Sequence, residues 1–274
     1  MNDPSAQRLV ANARMYSVTP AAAQAWRQLL AWALARAALP WSILDYPAPR
    51  PLNELWQRDD LGCTLMCGLA RAVSFPRAVL IAAPVVDAPR YGGEPIYFTD
   101  IVVRADTSYA SIEDTFGARV GYTVRDSHSG YVALREYLLP YRLARGAPLF
   151  REVIGPLVSP RAVVEALAAG RIDVGPVDSY AHDLMRANEP QLAGRLRAVA
   201  TTRAAPIPPF VATAPLAPDA VQNLQAAFAQ AIVAPDLQPL RDTLRLAKLV
   251  VPELADYETF HARAAASERY PDAW

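Results

Sequence analysis

Arg119-Val120-Gly121-Tyr122-Thr123-Val124-Arg125-Asp126-Ser127-His128-Ser129-Gly130-Tyr131-Val132-Ala133-Leu134 runs from a short apolar strand, through a turn of small and polar residues, into a helix. The pattern predicts a strand over 119–124 and a helix over 130–139. A strand that passes into a helix is the building unit of parallel sheets, because the helix carries the chain back across the sheet. The first N–H groups of such a helix lack intrahelical acceptors and carry partial positive charge, and two serine hydroxyls beside them add donors. The turn therefore suits an anion. A plainer use of the same residues is a serine N-cap with Gly130 allowing close packing.

The alternation continues outward on both sides. Upstream, strands are expected over 8–15, 41–46, 62–68 and 78–86, with a helix that Thr19 caps and Pro20 opens, and a short helix over 51–60. The strand over 96–104 reads as buried on both faces and as a crossing between lobes. Downstream, helices are expected over 111–116, 160–169 and 179–187, and strands over 152–154, 172–177 and 196–200. Ala204-Ala205-Pro206-Ile207-Pro208-Pro209 is the clearest break. A returning strand over 210–213 and helices over 219–233, 237–246 and 256–267 follow it. The expected architecture is α/β with two lobes, each a mostly parallel sheet flanked by helices, and a ligand cleft between them. Lobe 1 is expected to be discontinuous, 1–102 plus 208–274, and lobe 2 to span 103–207.

Composition narrows the functions. The 274 residues are 53% hydrophobic and 20% charged, with 27 basic and 27 acidic side chains, so the chain can bury proper cores and carries no net charge to attract nucleic acid or anionic lipid. Lys248 is the only lysine and sits in what reads as a helix edge, which argues against Schiff-base or P-loop chemistry. No apolar run approaches the ~20 residues that span a bilayer, so no membrane insertion is expected. Cys63 and Cys67 read as buried apolar residues of one strand, and His128, His182 and His261 lack ligand spacing, so neither a metal nor a cofactor is expected.

Several stretches, in order along residues 10–215, carry a family likeness. Ile101-Val102-Val103-Arg104-Ala105-Asp106, Ser127-His128-Ser129-Gly130-Tyr131, Ala168-Ala169-Gly170-Arg171-Ile172-Asp173-Val174 and Val177-Asp178-Ser179 together resemble the phosphate, phosphite and phosphonate substrate-binding proteins of ABC importers. The resemblance implies the type 2 periplasmic binding fold and a site for a small anionic solute. It puts Ser127, Ser129 and Gly130 on the ligand oxyanion, with His128 in the variable position. Asp178 falls where relatives place an acid beside the cleft, with a helix N-cap as its other reading. Tyr16 and Tyr97 match aromatics lining the cleft, and Thr99 adds a hydroxyl. Where phosphonate binders carry Gly-Ser-His, this chain has Val158-Ser159-Pro160: Ser159 is kept, and the histidine is replaced by a residue without an N–H. Leu65 and Leu69 replace polar residues of the family, which makes the pocket less polar than a phosphonate site.

The resulting expectation is a binding protein and not an enzyme: an acid docks on the 127–130 turn, the lobes close by a hinge near Arg104 and Pro208, and an ABC permease is the partner of a monomer. Asp126, Ser127 and His128 are consecutive and point apart, so they make no catalytic triad. A cytosolic small-molecule enzyme of dehydratase or cofactor-precursor type on the same fold, or a ligand-sensing domain, are the alternatives. Met1 to Arg8 lack the basic and apolar regions of a secretory signal, so the sequence as it stands reads as cytoplasmic, and as periplasmic if a leader is missing.

Overall fold

A computed structural model describes residues 9–269 and 274. Its strands are β1 (Val10–Asn12), β2 (Ser42–Ile43), β3 (Leu61–Leu65), β4 (Val79–Val86), β5 (Ile96–Tyr97), β6 (Thr99–Arg104), β7 (Arg119–Gly121), β8 (Glu152–Ile154), β9 (Val174–Asp178), β10 (Leu196–Thr201), β11 (Ala205–Pro206), β12 (Phe210–Ala212) and β13 (Leu246–Val250). Its α-helices are α1 (Pro20–Arg36), α2 (Leu52–Trp56), α3 (Gly68–Val73), α4 (Ala133–Arg145), α5 (Pro160–Ala168), α6 (Ser179–Asn188), α7 (Pro190–Ala193), α8 (Pro218–Val233), α9 (Gln238–Leu244) and α10 (Leu254–Arg269). The described residues form two compact units: those within 1–66, 75–95 and 207–254 make the first, and those within 67–74, 96–206 and 255–274 the second.

The first unit is built on a six-stranded sheet in the order β13-β4-β12-β3-β1-β2. β1 runs parallel to β2 and β3, while β12 is antiparallel to β3 and β4 and β13 is antiparallel to β4. Strands β1 to β4 therefore share one direction, and the two returning strands oppose it. Thr19 starts α1 by accepting the Ala22 N–H at 3.1 Å, and Pro20 occupies the first turn, where a missing N–H costs nothing. The helix buries Ala22, Ala25, Trp26, Leu29, Leu30 and Ala33 at helical spacing. Trp26 meets Phe210 of β12 edge-on at 5.5 Å, and Phe210 stacks on Phe228 of α8 at 4.9 Å, so one aromatic column ties two helices to the sheet.

The second unit has a five-stranded sheet in the order β10-β6-β9-β7-β8, with β7, β8 and β9 parallel and β6 antiparallel to both of its neighbours. Ile101, Val103, Val120, Leu134, Leu138 and Val174 form its core, so α4 packs against the strand that precedes its own turn. The chain enters this unit at Ile96 and leaves at Pro206, and β5 and β11 pair at those two points.

The expected strand over 8–15 is shorter, with Arg14–Tyr16 in a 3-10 turn, and other elements differ as well. Arg8, expected in the first strand, lies outside the described residues. The expected helix over 111–116 is a single 3-10 turn, Glu113–Thr115, from which the Asp114 carboxylate reaches back to accept the N–H groups of Ala110 and Ser111. The expected helix over 237–246 ends at Leu244, because Arg245 adopts a left-handed φ of 49°, and the next residues form β13. Lys248 thus lies on a strand and not on a helix edge. Cys67 does not continue a strand; it stands at the start of α3. Residues 67–74, 96–102 and 255–274, placed with lobe 1 from sequence, group with the second unit: Phe260 of α10 is fully buried and fills the space where a Cβ on Gly68 would sit.

Candidate functional site

The turn after β7 is held from several directions. The Thr123 N–H donates to the Gly130 carbonyl at 3.1 Å, and the Ser127 hydroxyl oxygen accepts the Gly130 N–H at 3.0 Å. The Val132 N–H reaches five residues back to the Ser127 carbonyl, so His128–Val132 forms a widened π turn before α4 begins. Such turns recur at functional sites because they re-aim side chains within a helix. Gly130 is required by packing: a Cβ there would stand 1.7 Å from the Thr123 Oγ1. That hydroxyl is buried and has no hydrogen-bond partner.

Five polar side chains lie beside the turn, two of them as a pair and three in a chain. Asp178 ends β9 and caps α6 by accepting the N–H groups of Tyr180 and Ala181 at 2.9 and 3.1 Å. The Ser129 hydroxyl lies 3.5 Å from the second Asp178 oxygen. The Tyr97 hydroxyl is 2.9 Å from His128 Nδ1, and Arg263 Nη1 of α10 is 3.0 Å from His128 Nε2. Tyr97, His128 and Asp178 are each at most 2% exposed. Arg263 also donates to the Ala204 carbonyl at 3.1 Å, and Glu136 lies near both Arg263 and Arg203, at 3.9 and 3.2 Å.

Burial dominates the electrostatics here. Desolvation, followed by the positive charges of Arg263 and Arg203, pulls the His128 pKa down to about 3, so its ring is neutral. Burial likewise raises the Tyr97 phenol well above its ordinary value and lowers Arg263. Cys67 accepts backbone N–H bonds from His128, Ala70 and Leu69, yet burial outweighs them and its pKa rises, so it remains a thiol. Both cysteines are free and buried, and among the described residues no cluster of His, Cys, Asp or Glu could hold a metal ion.

The structure thus brings Tyr97, Thr99, Ser127, His128, Ser129, Gly130 and Asp178 together. Thr99 acts on the turn itself, since its hydroxyl donates to the Ser129 carbonyl at 3.0 Å. Ser159 accepts the Ala162 N–H as the cap of α5. It stands next to Val158, which holds a left-handed φ of 70° and donates its N–H to the Thr123 carbonyl. Tyr16 belongs to the first unit, where it is buried in the 3-10 turn after β1. Leu65 and Leu69 are buried. Sequence reasoning missed Thr123, whose small polar side chain is an unremarkable strand residue until Gly130 is packed on it. It also missed Arg263, which lies 135 positions from its partner in a helix with no local motif.

No curated protein sequence matches the chain. Among solved structures, the chain is similar to a binding-protein component of an ABC phosphonate transporter from Pseudomonas aeruginosa, at 16% identity and a TM-score of 0.80, covering 96% of this chain and 88% of that one. PhnD1 from Prochlorococcus marinus in complex with methylphosphonate gives 16% identity and a TM-score of 0.75, over 96% and 99% of the two chains. The alkanesulfonate-binding protein SsuA from Xanthomonas axonopodis pv. citri bound to MOPS gives 15% and 0.58, over 100% and 94%. At these identities the likeness establishes the two-lobe type 2 periplasmic binding fold. The family signature described as "ABC transporter, phosphonate, periplasmic substrate-binding protein" covers residues 69–257, most of the chain and all of the turn at Ser127. The chain belongs to the family of periplasmic substrate-binding proteins of phosphonate ABC transporters.

Proposed function

We propose that this protein captures a small organic acid on the turn Ser127 to Gly130, with Ser127 and Ser129 donating to its oxyanion and the helix start supplying positive potential. The observation that carries this reading is the turn itself: a serine-flanked π turn, packed on Thr123 so tightly that only glycine fits at position 130. Asp178, 3.5 Å from the Ser129 hydroxyl, sets what else the ligand must offer. Pro160 replaces a histidine of the phosphonate binders and contributes no N–H, so the site has fewer donors for a dianion. A singly charged acid with an organic substituent, such as a phosphonate monoanion, a sulfonate or a carboxylate, fits that donor set better than inorganic phosphate. The complete proposal includes closure of the two lobes on the ligand, delivery to an ABC permease, a monomeric state and work in the periplasm.

Isothermal titration against methylphosphonate, methanesulfonate, acetate and inorganic phosphate tests the ligand class. One of the three organic acids is expected to bind more tightly than phosphate, and Ser127→Ala with Ser129→Ala to weaken it about tenfold or more, the scale of lost hydrogen bonds to a charged group. Unchanged affinity in the double variant removes the turn from the site. Conversion of any acid to product favours an enzyme on this fold.

A further inference from the structure

We propose that the first unit carries an acid site of its own, a cavity between α1 and the segments that follow β1 and β2, in which Arg14 and Trp26 hold a small organic carboxylate. It is independent of the 127–130 turn, which belongs to the second unit. The cavity has a volume of about 190 Å³, and all the residues that line it lie between Asn12 and Ala48, within the first unit. That volume is well above the roughly 10–15 Å³ that admits one water. Asn12 frames it. Its side-chain oxygen accepts the Arg14 N–H at 2.7 Å and its amide nitrogen donates to the Leu44 carbonyl at 2.9 Å, which ties the turn after β1 to the chain after β2. Leu30, Ile43 and Pro47 add apolar wall. The hydroxyls in the lining already have partners: Ser17 donates to the Ala13 carbonyl at 3.0 Å and Tyr46 to the Pro51 carbonyl at 2.8 Å.

Two groups in the lining are left over. Arg14 Nη2 and Trp26 Nε1 are both buried, and among the described residues nothing accepts a hydrogen bond from either. Trp26 as a whole is 0% exposed. A guanidinium and an indole nitrogen donate and never accept, so whatever completes this cavity must bring acceptors. Arg14 adds a charge to that requirement. Asp45, the acid in the lining, is 79% exposed and pairs with Arg27 at 3.4 Å, and no carboxylate among the described residues pairs with Arg14. Burial lowers the Arg14 pKa, the mark of a cation taken from water without a counter-charge. One anion satisfies both donors and the charge together. A carboxylate suits them best, because its two oxygens match the guanidinium fork and leave a lone pair for the indole N–H. The apolar wall accommodates a short alkyl substituent.

The indole N–H of Trp26 reads the site directly. In proton–nitrogen correlation spectra of the full chain labelled with ¹⁵N-tryptophan, Trp26→Phe, which keeps a ring against Phe210, assigns the signal among the five tryptophans. Propionate is expected to move that signal downfield and to saturate, while propionamide, ethylammonium and an equal concentration of chloride leave it in place. Arg14→Met is expected to raise the propionate concentration at half-saturation about tenfold or more, the scale of lost bonds to a charged group. Arg14→Lys, which keeps the charge and loses the fork, is expected to fall between the two. Ser127→Ala with Ser129→Ala is expected to leave the titration unchanged. The proposal is overturned by the absence of a saturable shift, by a chloride response equal to that of propionate, or by an unchanged titration in Arg14→Met. Should Arg14→Met not fold, an unchanged titration in Arg14→Lys overturns it equally. Loss of the shift in the serine double variant would also do so, by assigning the signal to an acid on the turn. Failure of this site leaves the reading of the 127–130 turn intact, because that reading is tested by calorimetry on the serine variants.

Discussion

At the scale of single residues, the site is decided by close packing and by burial. Gly130→Ala would drive a methyl group into the Thr123 hydroxyl, at 1.7 Å in the unrelaxed backbone, and is expected to cost about 1–3 kcal/mol of stability or more. Urea unfolding measures this, and Thr123→Gly in the same chain should recover part of the loss. His128 gives a pH signature. Its folded pKa of about 3 lies below the ordinary value of 6.5, so the unfolded chain binds a proton first as pH falls. Stability is therefore complete above about pH 6.5 and declines through the window down to about pH 3, and His128→Gln should flatten that decline in urea melts at pH 4 and 7. The turn was legible in sequence because every signal for it is local: the serines, the glycine and the change of period lie within a dozen residues. The hydrogen-bond partners were not, because Arg263 reaches His128 only through the fold and no spacing rule connects them.

At the scale of elements, helix α10 and the junction of β7 with β9 hold the turn in place. Arg119 at the start of β7 grips Asp173 with two nitrogens, at 2.9 and 2.8 Å, and the Arg119 N–H adds a third bond to the same carboxylate. The guanidinium bond holds the Asp173 carboxyl below its ordinary value. That stabilisation is present above the ordinary carboxylate range and is lost as pH falls through the lowered value. Asp173→Asn is expected to lower stability in urea melts at pH 7, and by progressively less as pH falls below the ordinary carboxylate range. Elements with strong local caps, such as α1 with Thr19 and Pro20 or α5 with Ser159 and Pro160, were legible to within a residue or two. Strand β13 was not. Leu237 to Leu246 has helical periodicity, and the left-handed turn at Arg245 that ends the helix uses a residue with no preference for it.

At the scale of the whole molecule, alternation of strands and helices led to an α/β protein with two lobes, and both sheets bear this out, each with most strands in one direction and a minority reversed. The reversed strands β6 and β12 follow the passages between units at residues 95–96 and 206–207, which Pro95, Pro206, Pro208 and Pro209 punctuate. Family membership explains the architecture, and the departures at Pro160, Leu65 and Leu69 are the basis of the ligand preference proposed above. A shape change on binding is expected to appear in small-angle scattering as a smaller radius of gyration in the presence of a bound acid. The most direct test of the central claim is a calorimetric titration of an organic acid into the wild-type protein and into Ser127→Ala/Ser129→Ala. The account predicts one-to-one binding that the double variant weakens about tenfold or more, and equal affinity in the two proteins would contradict it.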